Sequence, residues 1–537
     1  MYKGKCAYLA PQVGATPLKE GIFMDQTPAA GRIMDSIRGG HCIVLGFGVS
    51  NRPLVTWLCA HGAASVTVRD KRGPDALTDD ERRILADTGS RYVGGAEYLT
   101  GLDDEVRSHG SAVIFRSPGF RPDEGHLAAA VRAGGLPTSE MELFFELTPA
   151  TVLGVTGSDG KTTTTTVTSL LVDRILKTRG RGRMYLGGNI GTPLLPLVDG
   201  MTADDVAVLE LSSFQLMTMT CSPVRAAITN LSPNHLNWHT DMDEYIAAKT
   251  NILTHDLCAG AVLNAQNEHT VRVGLGRPVD FPLVWFSSAG HSWETVVPAA
   301  RQSRGCPDGA VFSDGPVIMY QPGSDAQPVP LLDARRIRVP GVHNRENFMT
   351  ALGLCLGLTD ATTLARAAGD VADSFDGVPH RLELVRTHGG VRFYNSSIDS
   401  SPSRTCAALS AMQDLNAQRA GDGGMVPPPP IVICGGQDKH VPFDPLAAAL
   451  CRTAKAVILT GEARGQIMAA LTACPNYDPA RLPVTVIPDW TEAMTAACRM
   501  ASPGDTVLLS PACTSFDAFR NFEERGERFR EIVNGLR

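Results

Sequence analysis

The sequence predicts an α/β fold with parallel sheets, spread over several domains. Three segments each open with an apolar strand that runs into a glycine turn: Cys42 to Pro53 (CIVLGFGVSNRP), Thr151 to Thr166 (TVLGVTGSDGKTTTTT) and Pro430 to Lys439 (PIVICGGQDK). Short β-branched runs alternate with alanine-rich stretches of helical length, the pattern of strands joined by crossover helices. The length of 537 residues suits about three or four domains.

In chain order, residues 1–37 read as an extension of unknown role. Strands are expected at Ser65–Asp70, Ala112–Phe115, Val206–Leu211, Ala226–Asn230, Ala456–Thr460, Val484–Ile487 and Thr506–Ser510. Thr148-Pro149 and Asp376–His380 are the candidate boundaries, which divides the chain into residues 1–150, 151–378 and 379–537. Residues 275–335 are rich in Gly, Pro and Ser with short strand-like pieces. Arg419 to Pro430, with its glycines and four prolines, is expected to be a loop that holds no helix.

Composition removes several classes. Hydrophobic residues make up 43%, enough for several cores. The formal charge of −7 argues against a nucleic-acid partner, which selects a basic face. Thirteen cysteines stand without a CxxC pair, so a reducing compartment is expected, not a zinc cluster or disulfide framework. MYKGKCAYLAPQ lacks a long apolar region, so no signal peptide is expected. No run approaches the ~18 apolar residues that cross a membrane.

The second glycine segment carries the most chemistry. A strand, Val152–Val155, leads into Thr156-Gly-Ser-Asp-Gly160 and then Lys161-Thr162-Thr163 at a helix start. Glycines let backbone N–H groups converge on phosphate oxygens, and the helix N-terminus favours anions. Lys161 would reach the β- and γ-phosphates, and the Thr162 hydroxyl would bind Mg²⁺. The glycines fall at 154, 157 and 160, and Val155 stands where the strict phosphate-loop pattern has glycine. Glu210 ends an apolar run, and a carboxylate there is costly unless it is paired or binds a cation. The first turn has Gly46 and Gly48 but Asn51 at the third glycine position, with Asp70 about twenty residues on, as in NAD enzymes. An NAD-dependent oxidoreductase is therefore an alternative, as is a phosphate-loop regulatory switch.

The form GxTGxxGKTT resembles the Mur ligases and folylpolyglutamate synthetases. So do Glu210-Leu-Ser-Ser-Phe-Gln215, the run Asn230-Leu-Ser-Pro-Asn-His-Leu-Asn-Trp-His239 with Tyr245-Ile-Ala-Ala-Lys249, Gly341-Val-His-Asn-Arg-Glu-Asn347 and His380-Arg-Leu-Glu383. The resemblance implies a Rossmann-like N-terminal domain for a UDP-sugar, a central P-loop ATPase domain and a Rossmann-like C-terminal domain for an amino acid. It implies that ATP phosphorylates a substrate carboxylate and that an amine then attacks the acyl phosphate. ATP would lie on Gly157, Ser158, Asp159, Gly160, Lys161, Thr162, Thr163, Asn344, Asn347 and Arg381. Mg²⁺ would be held by Thr162, Glu210, His235 and a carbamylated Lys249. Gly48, Val49, Ser50, Asp70, Lys71, Arg72, Ser117, Gly119 and Asn189 would contact the UDP-sugar.

The terminal run Ser510-Pro-Ala-Cys-Thr-Ser-Phe-Asp-Ala-Phe-Arg-Asn-Phe-Glu-Glu-Arg-Gly526 resembles that of family members that add D-glutamate. The implied substrates are then UDP-N-acetylmuramoyl-L-alanine and D-glutamate, in a cytoplasmic monomer with no membrane or nucleic-acid partner. Ser400 (at a strand end), Lys439, Ser515, Phe516 and Phe522 would hold D-glutamate. Another Mur ligase specificity, or a folylpolyglutamate synthetase-like one, is the nearest alternative. Three positions depart from the family pattern: Asn234 and Ser396 replace aspartates, and Ile398 replaces a lysine found in some members. Asp399 is a candidate for the lost nucleotide contact.

Overall fold

In the computed structural model, residues 32–233, 238–255, 257–276, 281–302, 308–339, 341–421, 427–438 and 441–537 are described. Three sheets are built from them, as the alternating pattern predicts. The first has five parallel strands in the order β3-β2-β1-β4-β5: β1 (His41–Leu45), β2 (Ser65–Asp70), β3 (Arg91–Gly94), β4 (Ala112–Arg116) and β5 (Gly135–Thr138). Every residue of β1 and β4 is buried, as expected for strands covered on both faces.

The second sheet has nine strands in the order β14-β13-β12-β11-β10-β9-β6-β8-β7. Its parallel part comprises β6 (Thr151–Thr156), β7 (Met184–Gly188), β8 (Val206–Glu210), β9 (Arg225–Ile228), β10 (Gly260–Asn264), β11 (Leu283–Ser287) and β12 (Gly309–Asp314). The Gly/Pro/Ser-rich stretch supplies its antiparallel end, β13 (Val317–Gln321) and β14 (Val329–Asp333). The third sheet, ordered β15-β16-β20-β17-β18-β19, contains β15 (Glu383–His388), β16 (Val391–Asn395), β17 (Ile431–Gly435), β18 (Ala456–Thr460), β19 (Val484–Val486) and β20 (Thr506–Ala512). Only β15 runs antiparallel to its neighbour.

The chain forms two compact units. Residues 1–333 with 346–371 make one, holding the first two sheets; residues 334–345 with 372–537 make the other, holding the third. In the first unit, β1 lies between β2 and β4, and β6 lies between β8 and β9. The chain reverses its winding at both strands, and the crevice at such a switch point lies beyond the strand ends. Both glycine turns leave at these places.

Three local expectations are corrected. Residues 32–37 are not all extension: they form a helix whose Met34 and Ile37 join the apolar core, and the Ile33 N–H donates to Glu146. The helix that begins at Pro402 continues to Gly421, through the start of the expected loop, because Ala417-Gln-Arg-Ala420 are good helix formers. Strand β16 ends at Asn395, so Ser400 lies in the turn beyond it, not at a strand end.

Candidate active site

The phosphate-type loop is built at the end of β6. Gly160 has φ +79°, and a Cβ there would lie 2.4 Å from Asn347 Oδ1, so this position excludes a side chain. The loop is braced from the β9 exit. Ser158 N–H donates to Asn230 O (2.9 Å), Ser158 Oγ to Ser232 O (2.9 Å), Asp159 N–H to Asn230 Oδ1 (3.0 Å) and Thr229 Oγ1 to Asp159 O (2.5 Å). Lys161 opens the helix Lys161–Arg179, with Thr162 and Thr163 in its first turn. Lys161 Nζ folds back on the loop, donating to the carbonyls of Gly157 (2.8 Å) and Ser158 (3.0 Å).

Glu210 ends β8 beside this loop and is 2% exposed. Asn189, from the glycine turn after β7, donates Nδ2 to Glu210 Oε1 at 2.8 Å and its backbone N–H to Glu210 O at 2.7 Å. Glu210 Oε2 is buried without a hydrogen-bond partner. A carboxylate oxygen left so is costly, and a hard cation would satisfy it.

Lys249 lies on the helix Met242–Thr250 and is also 2% exposed. Its Nζ donates to Thr156 Oγ1 (3.3 Å) and lies 4.8 Å from the centre of the Tyr245 ring. Burial, reinforced by nearby Lys161, pushes its pKa well below the usual lysine value, against the pull of Glu210 and Asp159. The amine is thereby biased to its neutral, nucleophilic form.

Asn344 and Asn347 are buried on the helix Val342–Cys355, and Asn347 Oδ1 accepts from Thr164 Oγ1 (3.1 Å). The first unit thus gathers Gly157 to Thr163, Asn189, Glu210, Lys249 and Asn347. His235, with Asn234, lies outside the described residues. Among the described residues, no three His, Cys, Asp or Glu side chains form a metal-binding group.

The proposed UDP-sugar residues other than Asn189 lie at the ends of β1, β2 and β4. Gly48, Val49, Lys71 and Gly119 are exposed, and Ser50 is half-buried. Ser117 Oγ donates to Leu45 O (2.5 Å) and accepts from Asn51 (3.0 Å). Gly46, at φ +88°, leaves room for that hydroxyl, which a Cβ would approach to 2.3 Å. Asp70 does not face outward as a free carboxylate: it accepts from Phe47 N–H (2.7 Å) and from Arg72 (2.9 and 3.1 Å). Burial opposes its charge, but those hydrogen bonds hold its pKa below the usual range. Arg72 is shared with Glu81 and Phe47 O.

In the second unit, the turn after β16 meets the end of the chain. Ser397 Oγ donates to Phe522 O (2.8 Å), and Phe522 packs edge-on to His380. Arg381 follows His380, which adopts φ +64°. Asp399 accepts from Ser510 Oγ (2.7 Å), yet burial raises its pKa to about 6 against hydrogen bonds from Ser396 and Ser510. Ser400 is half-buried, Ser515 is buried, and Phe516 is 63% exposed. Lys439 lies outside the described residues. Sequence reasoning missed Arg525, a buried guanidinium that donates to Ser397, Cys513 and Thr514. It also missed Tyr245, whose hydroxyl meets Ser158 (2.9 Å), and gave His239 no role. His239 could have been flagged, because it closes a motif otherwise assigned to the metal site.

Comparison with known proteins supplies the frame for this geometry. Residues 155–355 match the Mur ligase middle domain, and residues 380–513 match the Mur ligase, glutamate ligase domain. The chain is 39% identical over 507 residues to the UDP-N-acetylmuramoylalanine--D-glutamate ligase of Ruminiclostridium cellulolyticum, covering 93% of this chain and 98% of that relative. It is 38% identical over 503 residues to the enzyme of the same name from Acetivibrio thermocellus, covering 93% and 97%. Among solved structures, MurF from Acinetobacter baumannii shares the fold with a TM-score of 0.50 at 14% identity, over 80% of this chain and 92% of that one.

Proposed function

The chain belongs to the Mur ligase family, and from that premise we propose that it joins D-glutamate to UDP-N-acetylmuramoyl-L-alanine at the expense of ATP, a step in making peptidoglycan precursors. The observation that carries the reading is the grouping of the glycine loop, Lys161, Glu210 and Lys249 at one switch point. In the reaction, a carboxylate oxygen of the L-alanyl substrate bonds to the γ-phosphorus and ADP leaves. The D-glutamate amine then bonds to the acyl carbon, phosphate leaves, and the amine gives up a proton. Such chemistry needs positioning and charge stabilisation more than covalent help from the protein.

Lys161 exchanges its two carbonyl partners for phosphate oxygens, and the loop N–H groups of Gly157 to Thr163 cradle the phosphates. Asn344, Asn347 and Arg381 contact the rest of the nucleotide. Thr162, Glu210 and His235 would hold Mg²⁺, and the orphaned Glu210 oxygen supports that fit. When bound, Mg²⁺ supplies charge neutralisation at the phosphates. Lys249, whose neutral form burial favours, can add carbon dioxide and lose a proton to give a carbamate, an anionic oxygen ligand suited to the same cation. Gly48, Val49, Ser50, Lys71, Ser117, Gly119 and Asn189 line the UDP-sugar path, with Asp70 and Arg72 holding the first turn in shape. Ser400, Lys439, Ser515, Phe516 and Phe522 receive D-glutamate.

The three sheets support a division into domains at residues 1–150, 151–378 and 379–537. No described helix is long and apolar enough to cross a membrane. We place the activity in the cytoplasm of a cell that builds peptidoglycan, with a monomeric enzyme and small-molecule partners only. Phosphate release from ATP tests the reading. Turnover is expected only with both UDP-N-acetylmuramoyl-L-alanine and D-glutamate, and Lys161→Ala should abolish it while the protein stays folded. Equal turnover with L-alanine, L-lysine or diaminopimelate would overturn the amino-acid assignment and leave the ligase class standing.

A further inference from the structure

Two arginines bracket the turn that leaves β4. Arg116, the buried last residue of that strand, donates to Phe214 O (3.2 Å) and Thr218 Oγ1 (2.6 Å). Arg121 donates to Trp238 O (2.5 Å) and Glu244 Oε1 (3.1 Å), and its guanidinium lies 5.0 Å from the centre of the Trp238 ring. Ser117 to Phe120, which carry two proposed UDP-sugar contacts, are therefore tied at both ends to segments that flank the ATP loop.

From Glu244 the connection goes deeper. Glu244 Oε2 meets His239 Nδ1 at 3.2 Å, and His239 Nε2 meets Ser213 Oγ at 2.9 Å. A carboxylate only accepts, so Nδ1 carries the proton; Nε2 of the neutral ring then accepts from the Ser213 hydroxyl. Burial favours that neutral ring, opposed by Glu244 and assisted by the charge of Arg121. The ring is stacked on Phe214 at 5.7 Å and meets Tyr245 edge-on at 5.3 Å. A Ser–His–Glu row with these distances has the order of a hydrolytic triad. Ser213 and His239 are each 2% exposed, so the serine is tethered, not presented as a nucleophile. Ser213 opens the short helix Ser213–Leu216, directly after the Glu210–Ser212 run. The row thus ends at the backbone that carries the proposed metal ligand.

We propose that Arg121, Glu244, His239 and Ser213 form a relay by which filling of the UDP-sugar turn at Ser117–Phe120 sets the placement of the Glu210 strand end, so that the UDP-sugar and ATP bind in a mutually dependent way. His239 is its central positioning residue. The inference rests on the ligand assignment proposed above. Coupling between two sites is reciprocal, and a packed hydrogen-bonded row is a physical means of carrying it.

The experiment is calorimetric titration of the full chain with UDP-N-acetylmuramoyl-L-alanine, with and without a non-hydrolysable ATP analogue and Mg²⁺. The wild type should bind the UDP-sugar on the order of 5- to 150-fold more tightly with the analogue present. In His239→Gln and in Arg121→Met that factor should fall towards one while each variant keeps a cooperative melt. The double variant should lose no more than either single one, because both break the same row. If His239→Gln does not fold, Glu244→Gln interrupts the row at a half-buried position and should give the same loss. A variant that keeps the wild-type factor, or losses that add in the double variant, would overturn the relay. Wild-type protein that binds both ligands independently would overturn the relay alone; wild-type protein that does not bind the UDP-sugar would overturn the ligand assignment together with it.

Discussion

A lysine amine that is 2% exposed, with one hydroxyl as its hydrogen-bond partner and a tyrosine face beneath it, is an unusual resident of a protein core. Lys249 makes chemical sense if it is converted to an anion. Lys249→Ala should therefore lose phosphate release, and a short carboxylate such as acetate should restore part of it by standing in for the carbamate oxygens; full activity without rescue would refute the role. Asp399 gives a second residue-scale prediction. Its pKa of about 6 in the folded chain lies above the ordinary 3.8, so the folded state favours the protonated carboxyl. Its stabilising contribution is complete below pH ~4 and disappears as pH rises through about 6, a loss of roughly 3 kcal/mol. Asp399→Asn should then gain melting temperature over the wild type as pH increases from 4 to 7. An unchanging difference across that range would show that burial does not govern this carboxyl. Glu140, raised to about 7 by burial, pushes the wild-type curve in the same direction and is common to both proteins.

At the scale of elements, the stretch from β11 to β12 shows how a Gly/Pro/Ser-rich segment holds together. Asp308, wholly buried, accepts from Leu283 N–H (3.3 Å), Trp285 Nε1 (2.9 Å) and two nitrogens of Arg301 (2.8 Å each), and its backbone carbonyl accepts from Trp293 Nε1 (2.7 Å). Removing one partner strands the other charge in the core. Asp308→Ala should cost about 3–5 kcal/mol, measured by denaturant unfolding followed through tryptophan fluorescence. A change within the error of the extrapolation would mean that water reaches Arg301. None of this was legible in the composition of residues 275–335. Glycine and proline mark turns locally, but the strands between them are stabilised by partners in β10 and the Arg301–Asp308 pair.

At the scale of the whole molecule, the same logic is repeated in two sheets of one unit: a central strand, a glycine turn at its end, and neighbours on both sides that reverse the winding. One turn faces the proposed UDP-sugar and the other the proposed ATP, and both belong to a single compact unit. The expected mass in solution, read by light scattering, is that of one chain, 57.2 kDa; a mass near twice that value would overturn the monomer assignment.

What the sequence determined by itself was the part governed by local rules. Period and composition marked the buried strands, often to within a residue or two at each end, because a strand covered on both faces must be apolar throughout. The glycine loop, Lys161 and Glu210 were legible because a turn that needs φ above zero and a charge at the end of an apolar run are conspicuous in one dimension. Tertiary structure decided which of these groups meet and which are already engaged. It spent Asp70 on Phe47 and Arg72, left one Glu210 oxygen without a partner, and joined Arg121 through Glu244 and His239 to Ser213. Those outcomes depend on contacts that reach across the chain, up to 123 positions for Arg121 and Glu244, and on burial that sets which protonation state each group favours. Neither is encoded in the spacing of residues along the chain.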